Sequence, residues 1–210
     1  MWYAHAGTTV LMLTALPEGT ARQRGYEDSG WTFYERCSAE QIKKFSLMVA
    51  TWKLVIDLGR PEDEQTRRRW PVGPDDFDQM VEGKTFTNGS DKAAVKALFR
   101  RMSEGQLGDV ETLDFDGMPP PTPEDVARLG GWLKLCRRLK ELNLSGCTSL
   151  TALPEAIGAC VALETLKLGD CTSLTALPDL SGVQGLNVIG LPGRLQPWKD
   201  GGRKAFACGA

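Results

Sequence analysis

A sixteen-residue segment of this chain is written almost twice, and this repetition constrains the fold more than any other feature of the sequence. Residues 139–154 read LKELNLSGCTSLTALP and residues 163–178 read LETLKLGDCTSLTALP, so the second copy begins 24 residues after the first. A pattern that recurs at a fixed period of this size indicates units that bury their apolar residues by stacking on one another. Side chains alternate across an extended strand, so the last two leucines of L-x-x-L-x-L point inward. The sequence therefore predicts a short solenoid with a parallel sheet on its concave side.

Weaker copies of the strand pattern lie on both sides of the two strong copies. We therefore expect about four coils over residues 110–195. We also expect Ile189 to line up with Leu142 and Leu166 behind neighbouring strands. The apolar residues of the weaker copies are Val110, Leu113, Phe115, Leu186, Ile189 and Leu191.

Residues between the inward leucines face solvent and stack into columns on the concave side. Small polar residues lack the aromatic and arginine chemistry of most binding hot spots, so a solvated sheet face is the alternative to a recognition surface. If the face binds a partner, the candidate binding residues are Glu141, Asn143, Thr165 and Lys167. The two main columns are Thr112, Glu141, Thr165 and Val188, and Asp114, Asn143, Lys167 and Gly190.

The repeat also carries a signature that is more specific than its period. It reads L-x-x-L-x-L-S-G-C-x-S-L-x-x-L-P and is followed by x-x-I-G. This signature resembles the leucine-rich repeats of plant intracellular TIR-type immune receptors. The resemblance implies that the repeats present a surface to a protein partner. It therefore implies an interaction module rather than an enzyme.

Residues 1–60 carry the pattern of a strand, a helix and a second strand. Segments 8–16 and 52–58 are apolar and suited to strands, while segment 38–50 has apolar residues at helical spacing. A crossover unit of this kind places its two strands parallel. Because one unit alone cannot bury both faces of its sheet, we expect this α/β segment to pack against something else.

Three residues before the predicted helix carry a second resemblance. Ser29, Trp31 and Glu35 stand in an order and spacing that resembles part of the C-terminal half of a TIR domain. In TIR proteins that cleave NAD the matching glutamate is catalytic, so the resemblance implies Glu35 as a candidate catalytic residue. An acid near the start of a helix is also stabilised by the helix dipole, which leaves a purely structural role open.

Charged residues, prolines and the spacing of apolar residues divide the middle of the chain into a predicted linker and a predicted helix. Residues 61–90 are rich in charged residues and proline, which predicts a linker. Apolar residues at helical spacing predict a helix from about Asp91 to Met102, with Gly105 as the stop signal that follows it, in a segment 91–109 that caps the solenoid. Residues 196–210 are predicted to form a flexible tail. The apolar face of the predicted helix comprises Ala94, Val95, Leu98, Phe99 and Met102.

The net charge and the cysteine positions indicate which classes of partner and which cellular compartment to expect. The net charge is −2, from 25 basic and 27 acidic residues, so neither nucleic acid nor a membrane surface is favoured as a partner. Segment 8–16 is about half the length of a membrane span, and the absence of a preceding Lys or Arg argues against a signal peptide. Four of the six cysteines recur at the repeat period, which predicts buried, reduced thiols in a cytoplasmic protein.

These observations predict an α/β protein with a short leucine-rich-repeat solenoid and an N-terminal strand-helix-strand segment. We expect a non-enzymatic protein-interaction module that needs no cofactor or metal. The alternative is a TIR-like NAD-cleaving enzyme, or a fragment of one, that uses Glu35. A third alternative is one part of a larger chain, because the first sheet and the last repeat both look incomplete.

Overall fold

The protein is described from a computed structural model, which places residues 8–16, 18–21, 25–41, 55–65, 69–116, 118–195 and 206–207. The chain forms two compact units, Met1–Gly105 and Gln106–Ala210. Over the described residues the protein is α/β, with four α-helices and parallel strand pairing in each unit.

In the first unit, two short strands pair in parallel as the crossover pattern predicts. Val10 lies opposite Val55 and Met12 lies opposite Asp57. The helix, however, spans residues earlier than the predicted segment 38–50, most of which lies outside the described residues. The elements are β1 (Val10–Met12), α1 (Gly30–Ala39), β2 (Val55–Asp57), α2 (Pro74–Met80) and α3 (Asp91–Asp109), with short 3-10 helices at Tyr26–Asp28, Glu62–Glu64 and Val81–Gly83.

Residues 61–90 do not form the predicted linker. Helix α2 lies within this segment, and Phe77 is fully buried, with its ring stacked on that of Phe99 at a centroid distance of 3.9 Å. Pro74 occupies the first turn of α2 together with Asp75 and Asp76, which is where a proline and acidic residues favour a helix. The proline and the charges therefore mark a helix start rather than an open connection.

Helix α3 continues through the predicted stop at Gly105 and ends at Asp109. Its Val95 and Phe99 are fully buried in a cluster with Phe33 and Phe77, so its apolar face packs against α1 and α2. Ala94, which the helical spacing places on this face, is exposed. The apolar pattern thus serves the core of the first unit, and a capping role toward the repeats stays a prediction.

A closed ring of ion pairs lies beside this core. Arg36 contacts Glu27 and, through Nε at 3.3 Å from Oε1, Glu40. Arg69 contacts the same two carboxylates, each at 3.2 Å. Arg36 and Glu40 are almost fully buried, and buried charges of this kind persist only when they are paired. The sequence shows only the Arg36–Glu40 spacing on α1, because Arg69 lies 29 residues beyond Glu40.

In the second unit, four parallel strands form one sheet in the order β3 (Thr112–Asp114), β4 (Glu141–Asn143), β5 (Thr165–Lys167) and β7 (Asn187–Ile189). Helix α4 (Pro123–Leu133) begins at a capping box, in which Thr122 Oγ1 accepts from the Asp125 amide at 3.2 Å and Asp125 accepts from the Thr122 amide at 2.9 Å. The elements are β3 (Thr112–Asp114), α4 (Pro123–Leu133), β4 (Glu141–Asn143), β5 (Thr165–Lys167), β6 (Ala176–Leu177), β7 (Asn187–Ile189) and β8 (Phe206–Ala207), with 3-10 helices at Glu155–Ala159 and Gly193–Leu195.

The two strong sequence copies also contact each other beyond the sheet. Ala152 and Ala176 form a parallel bridge, and the Thr175 amide donates to the Thr151 carbonyl at 2.9 Å. The shared segment T-A-L-P therefore stacks on itself one period apart.

The predicted tail is not wholly irregular. Strand β8, at Phe206–Ala207, pairs antiparallel with β6, whereas the rest of residues 196–210 lies outside the described residues.

Candidate functional site

The four predicted binding residues come together on the outward face of the four-stranded sheet. Glu141 pairs with Thr165 and Asn143 pairs with Lys167, while Leu142 and Leu166 between them are fully buried. This alternation follows from the period of two in an extended strand. We call the outward side chains of the four strands the strand face, and it comprises Thr112, Asp114, Glu141, Asn143, Thr165, Lys167, Asn187 and Ile189.

The last strand enters the sheet one residue away from the predicted register. Val188, not Ile189, pairs with Leu166 and points inward, and Ile189 is 45% exposed on the strand face. Gly190 explains the shift because its φ of 72° turns the chain, which lets Leu191 point inward three residues after Val188. A side chain at Gly190 would also clash, since its Cβ would lie 2.6 Å from the Gly169 backbone.

This correction changes the predicted columns. The last members of the two columns are Asn187 and Ile189 rather than Val188 and Gly190. The strand face therefore ends on an exposed apolar side chain beside Lys167.

An ion pair crosses the strand face between its two columns. Lys167 Nζ donates to Glu141 Oε1 at 2.6 Å, and this hydrogen bond raises the pKa of Lys167. Both side chains remain about one third exposed, so solvent screens the pair and its contribution to stability is small. The pair holds two charges of opposite sign in fixed positions on an accessible surface.

Amide hydrogen bonds fix the neighbouring polar residues. Asn143 Nδ2 donates to Asp114 Oδ1 at 3.0 Å, and Asn143 Oδ1 accepts from the Ser145 amide at 3.0 Å. Thr165, the fourth predicted residue, is partly exposed between these groups. Three of the four predicted residues are thus held in place by their neighbours rather than free to reorient.

Further charges compensate each other where the strands begin. Glu111 accepts from Lys140 at 3.0 Å and from Arg138 at 3.3 Å, and the hydrogen bond from Lys140 lowers the pKa of Glu111. Arg138 also lies 3.6 Å from Asp109. Because acids and bases alternate, this surface favours short-range polar complementarity over long-range attraction of a strongly charged partner.

The cysteines of the repeats lie behind the sheet and carry no exposed chemistry. Cys171 Sγ donates to the Leu144 carbonyl at 3.2 Å, and Cys160 Sγ lies 3.8 Å from the Leu133 carbonyl. Burial raises the pKa of Cys147 to about 12 and that of Cys171 to about 11. The thiols are therefore buried and protonated at neutral pH, and their burial confirms what the repeat spacing predicts.

Glu35, the candidate catalytic residue of the alternative function, lies in α1 of the first unit and is half-buried. Trp31, one turn earlier, donates its indole N–H to Asp91 at 3.0 Å. Burial and, next, the charge of Glu35 raise the pKa of Tyr26 to about 12, which places the Glu35 carboxylate near the Tyr26 phenol. Glu35 is therefore close to a tyrosine, but it belongs to a different unit from the strand face.

Sequence reasoning missed a cleft next to the strand face. Its volume is about 470 Å³, it opens to solvent, and it lies where the chain leaves β5 and β7. No repeat pattern marks it, because its glycines and proline come from the irregular segment after β7. The lining residues are Asp170, Cys171, Thr172, Gly190, Pro192, Gly193 and Arg194.

Comparison with protein-family models found no match, and comparison with curated proteins also found none. In the part of the chain that the structure describes, no helix combines the length and the apolar character that a membrane crossing requires.

Proposed function

We propose that the chain is a protein-interaction module and that its second unit is a short leucine-rich-repeat solenoid. The observation that carries the proposal is the matched register of three parallel strands, with Leu113, Leu142 and Leu166 buried in a row. Each strand contributes only three residues, so the coils are stable only through their neighbours. Such a fold presents a continuous surface to solvent.

The strand face is the proposed binding surface. It offers the Glu141–Lys167 ion pair, the ordered amide of Asn143 and the exposed apolar side chain of Ile189 within neighbouring strands. A partner of mixed character, with both charges and an apolar contact, complements it best. We propose a cytoplasmic protein as this partner, in keeping with the reduced, buried cysteines.

Affinity capture with matched charge variants tests the surface. Glu141→Arg and Lys167→Glu should each lower recovery of a specific partner at least tenfold. Glu155→Arg makes the same charge change as Glu141→Arg, but it lies in the 3-10 helix between β4 and β5, so it should leave recovery unchanged. Equal recovery by all the variants would remove the strand face from consideration.

A double variant distinguishes two roles of the ion pair: direct contact with the partner, and ordering of the strand face. Glu141→Lys combined with Lys167→Glu keeps an ion pair and reverses its direction. If the partner binds these charges, the double variant stays defective. Restored binding would mean that the pair acts only by ordering the surface.

A second candidate function is NAD cleavage by Glu35, which the resemblance to TIR domains implies. The observation in its favour is the electrostatic influence of Glu35 on Tyr26, whose side chain packs against Met12 and Val55 of the parallel strand pair. Chromatography of NAD after incubation with the protein tests it, and turnover that disappears in Glu35→Ala would support it over the interaction module.

A further inference from the structure

The cleft that Asp170 and Arg194 line is a candidate second site, separate from the strand face. Gly190 and Gly193 contribute no side chain, and Pro192 supplies apolar surface. The cleft is open, and a volume of about 470 Å³ is enough for a few residues of an extended peptide. Its chemistry depends on the two charged residues.

Asp170 is held in a left-handed backbone conformation, which the preceding coil gives to a glycine. Its φ is 58°, and it is the single non-glycine residue with positive φ among those that the structure describes. The equivalent residue of the preceding coil is Gly146, with φ of 75°. Since glycine adopts this conformation freely and other residues rarely do, an aspartate here has a cost that a glycine would avoid.

Local hydrogen bonding does not account for the aspartate. Residues of this type tolerate positive φ best when the side chain bonds to nearby backbone. The Asp170 carboxylate has no such bond within the described residues, and only its backbone carbonyl accepts, from Thr172 N at 2.8 Å. Within the described residues the carboxylate is therefore available to a ligand.

Arg194 supplies the opposite charge at the same cleft. It is exposed, and over the described residues its guanidinium has no carboxylate within ion-pair distance. Among the described residues neither charge is paired, so each can engage a ligand in the open cleft. An arginine binds carboxylates through paired N–H donors, whereas a carboxylate accepts from ammonium, guanidinium or backbone amide groups.

We propose that this cleft binds a short peptide segment that carries an acidic and a basic side chain within a few residues, the carboxylate on Arg194 and the cation on Asp170. Thr172 and the glycine backbone complete a site suited to an extended main chain. This site stands whether or not the strand face also binds a partner.

Titration of the full chain with fluorescent, end-capped tripeptides tests the proposal. The probe carries glutamate, glycine and lysine in that order, and the matched control peptide carries glutamine, glycine and glutamine. We expect saturable binding of the charged probe that weakens at least tenfold in Asp170→Gly and in Arg194→Gln. Glu155→Gln, which changes an exposed acid away from the cleft, should bind the probe like the parent protein.

Stability measurements exclude unfolding as the cause of lost binding. Asp170→Gly removes the unfavourable backbone conformation, so its urea midpoint should be equal to or above that of the parent. Free triglycine, which has charged termini, distinguishes recognition of the side chains from recognition of any zwitterion. Equal binding of the charged and neutral tripeptides, or equal binding by the parent and Asp170→Gly, would overturn the proposal. Neither result would bear on the proposed role of the strand face.

Discussion

The register of β7 makes the sharpest prediction, because two adjacent residues exchange roles between the sequence pattern and the structure. Val188 is 7% exposed and pairs with Leu166, whereas Ile189 is 45% exposed and pairs with Lys167 on the strand face. Replacing each of them in turn with aspartate therefore places the same carboxylate inside the apolar row or on the surface.

The two substitutions should differ by several kcal/mol. Val188→Asp puts a carboxyl group into an apolar environment and should lower the free energy of unfolding by at least about 3 kcal/mol. Ile189→Asp loses a half-exposed side chain, which costs about 1 kcal/mol, but the new carboxylate faces Lys167, and such cross-strand charge pairs contribute about 0.2–1 kcal/mol. The net change for Ile189→Asp should therefore lie within about 1 kcal/mol of zero.

Urea titration of fluorotryptophan-labelled protein, followed by ¹⁹F NMR at Trp132, measures the difference within the second unit, since Trp132 is fully buried there. With a urea dependence of about 1–3 kcal/mol per molar, Val188→Asp should shift the midpoint down by at least about 1 M. A loss for Ile189→Asp as large as that for Val188→Asp would refute the register and restore the inward placement of Ile189.

Three further measurements test other parts of the structure. Burial raises the pKa of Cys147 to about 12, above the ordinary value of 9.0, so this thiol should lower the free energy of unfolding between pH 9 and 12 by about 1.4 kcal/mol per pH unit. Other buried thiols contribute to the same pH dependence, so Cys147→Ala should reduce the slope measured by urea titration by that amount rather than abolish it. Glu40→Gln removes the more buried of the two carboxylates that pair with Arg36 and leaves Glu27 as its partner. The free energy of unfolding of the first unit, measured by urea titration at Trp70, should fall by about 1–3 kcal/mol. NAD incubated with the parent protein should remain intact by chromatography, and Glu35-dependent turnover would contradict the interaction module.

Several elements follow from local sequence because each is decided by residues close together in the chain. The recurrence of leucine every two positions in a strand places Leu142 and Leu166 inward in any structure that pairs the copies in register. Thr122, Pro123 and Asp125 form a helix start through contacts that span three residues. The parallel pairing of β1 and β2 likewise follows from the order of strand, helix and strand.

The remaining features depend on residues that the chain brings together from a distance. The spacing of leucines could not place Val188, because the turn at Gly190 and its contact with Gly169 decide which side chain faces inward. Arg69 completes an ion-pair ring with residues 29 and 42 positions away, and no local pattern reports such a contact.

The candidate site divides in the same way. The period of the repeat alone determined that Glu141, Asn143, Thr165 and Lys167 share one face. Only the tertiary structure decided that Lys167 and Glu141 are paired and that Ile189 joins them. It also brought Asp170 and Arg194 to one cleft, because separate loops converge only when their strands have stacked.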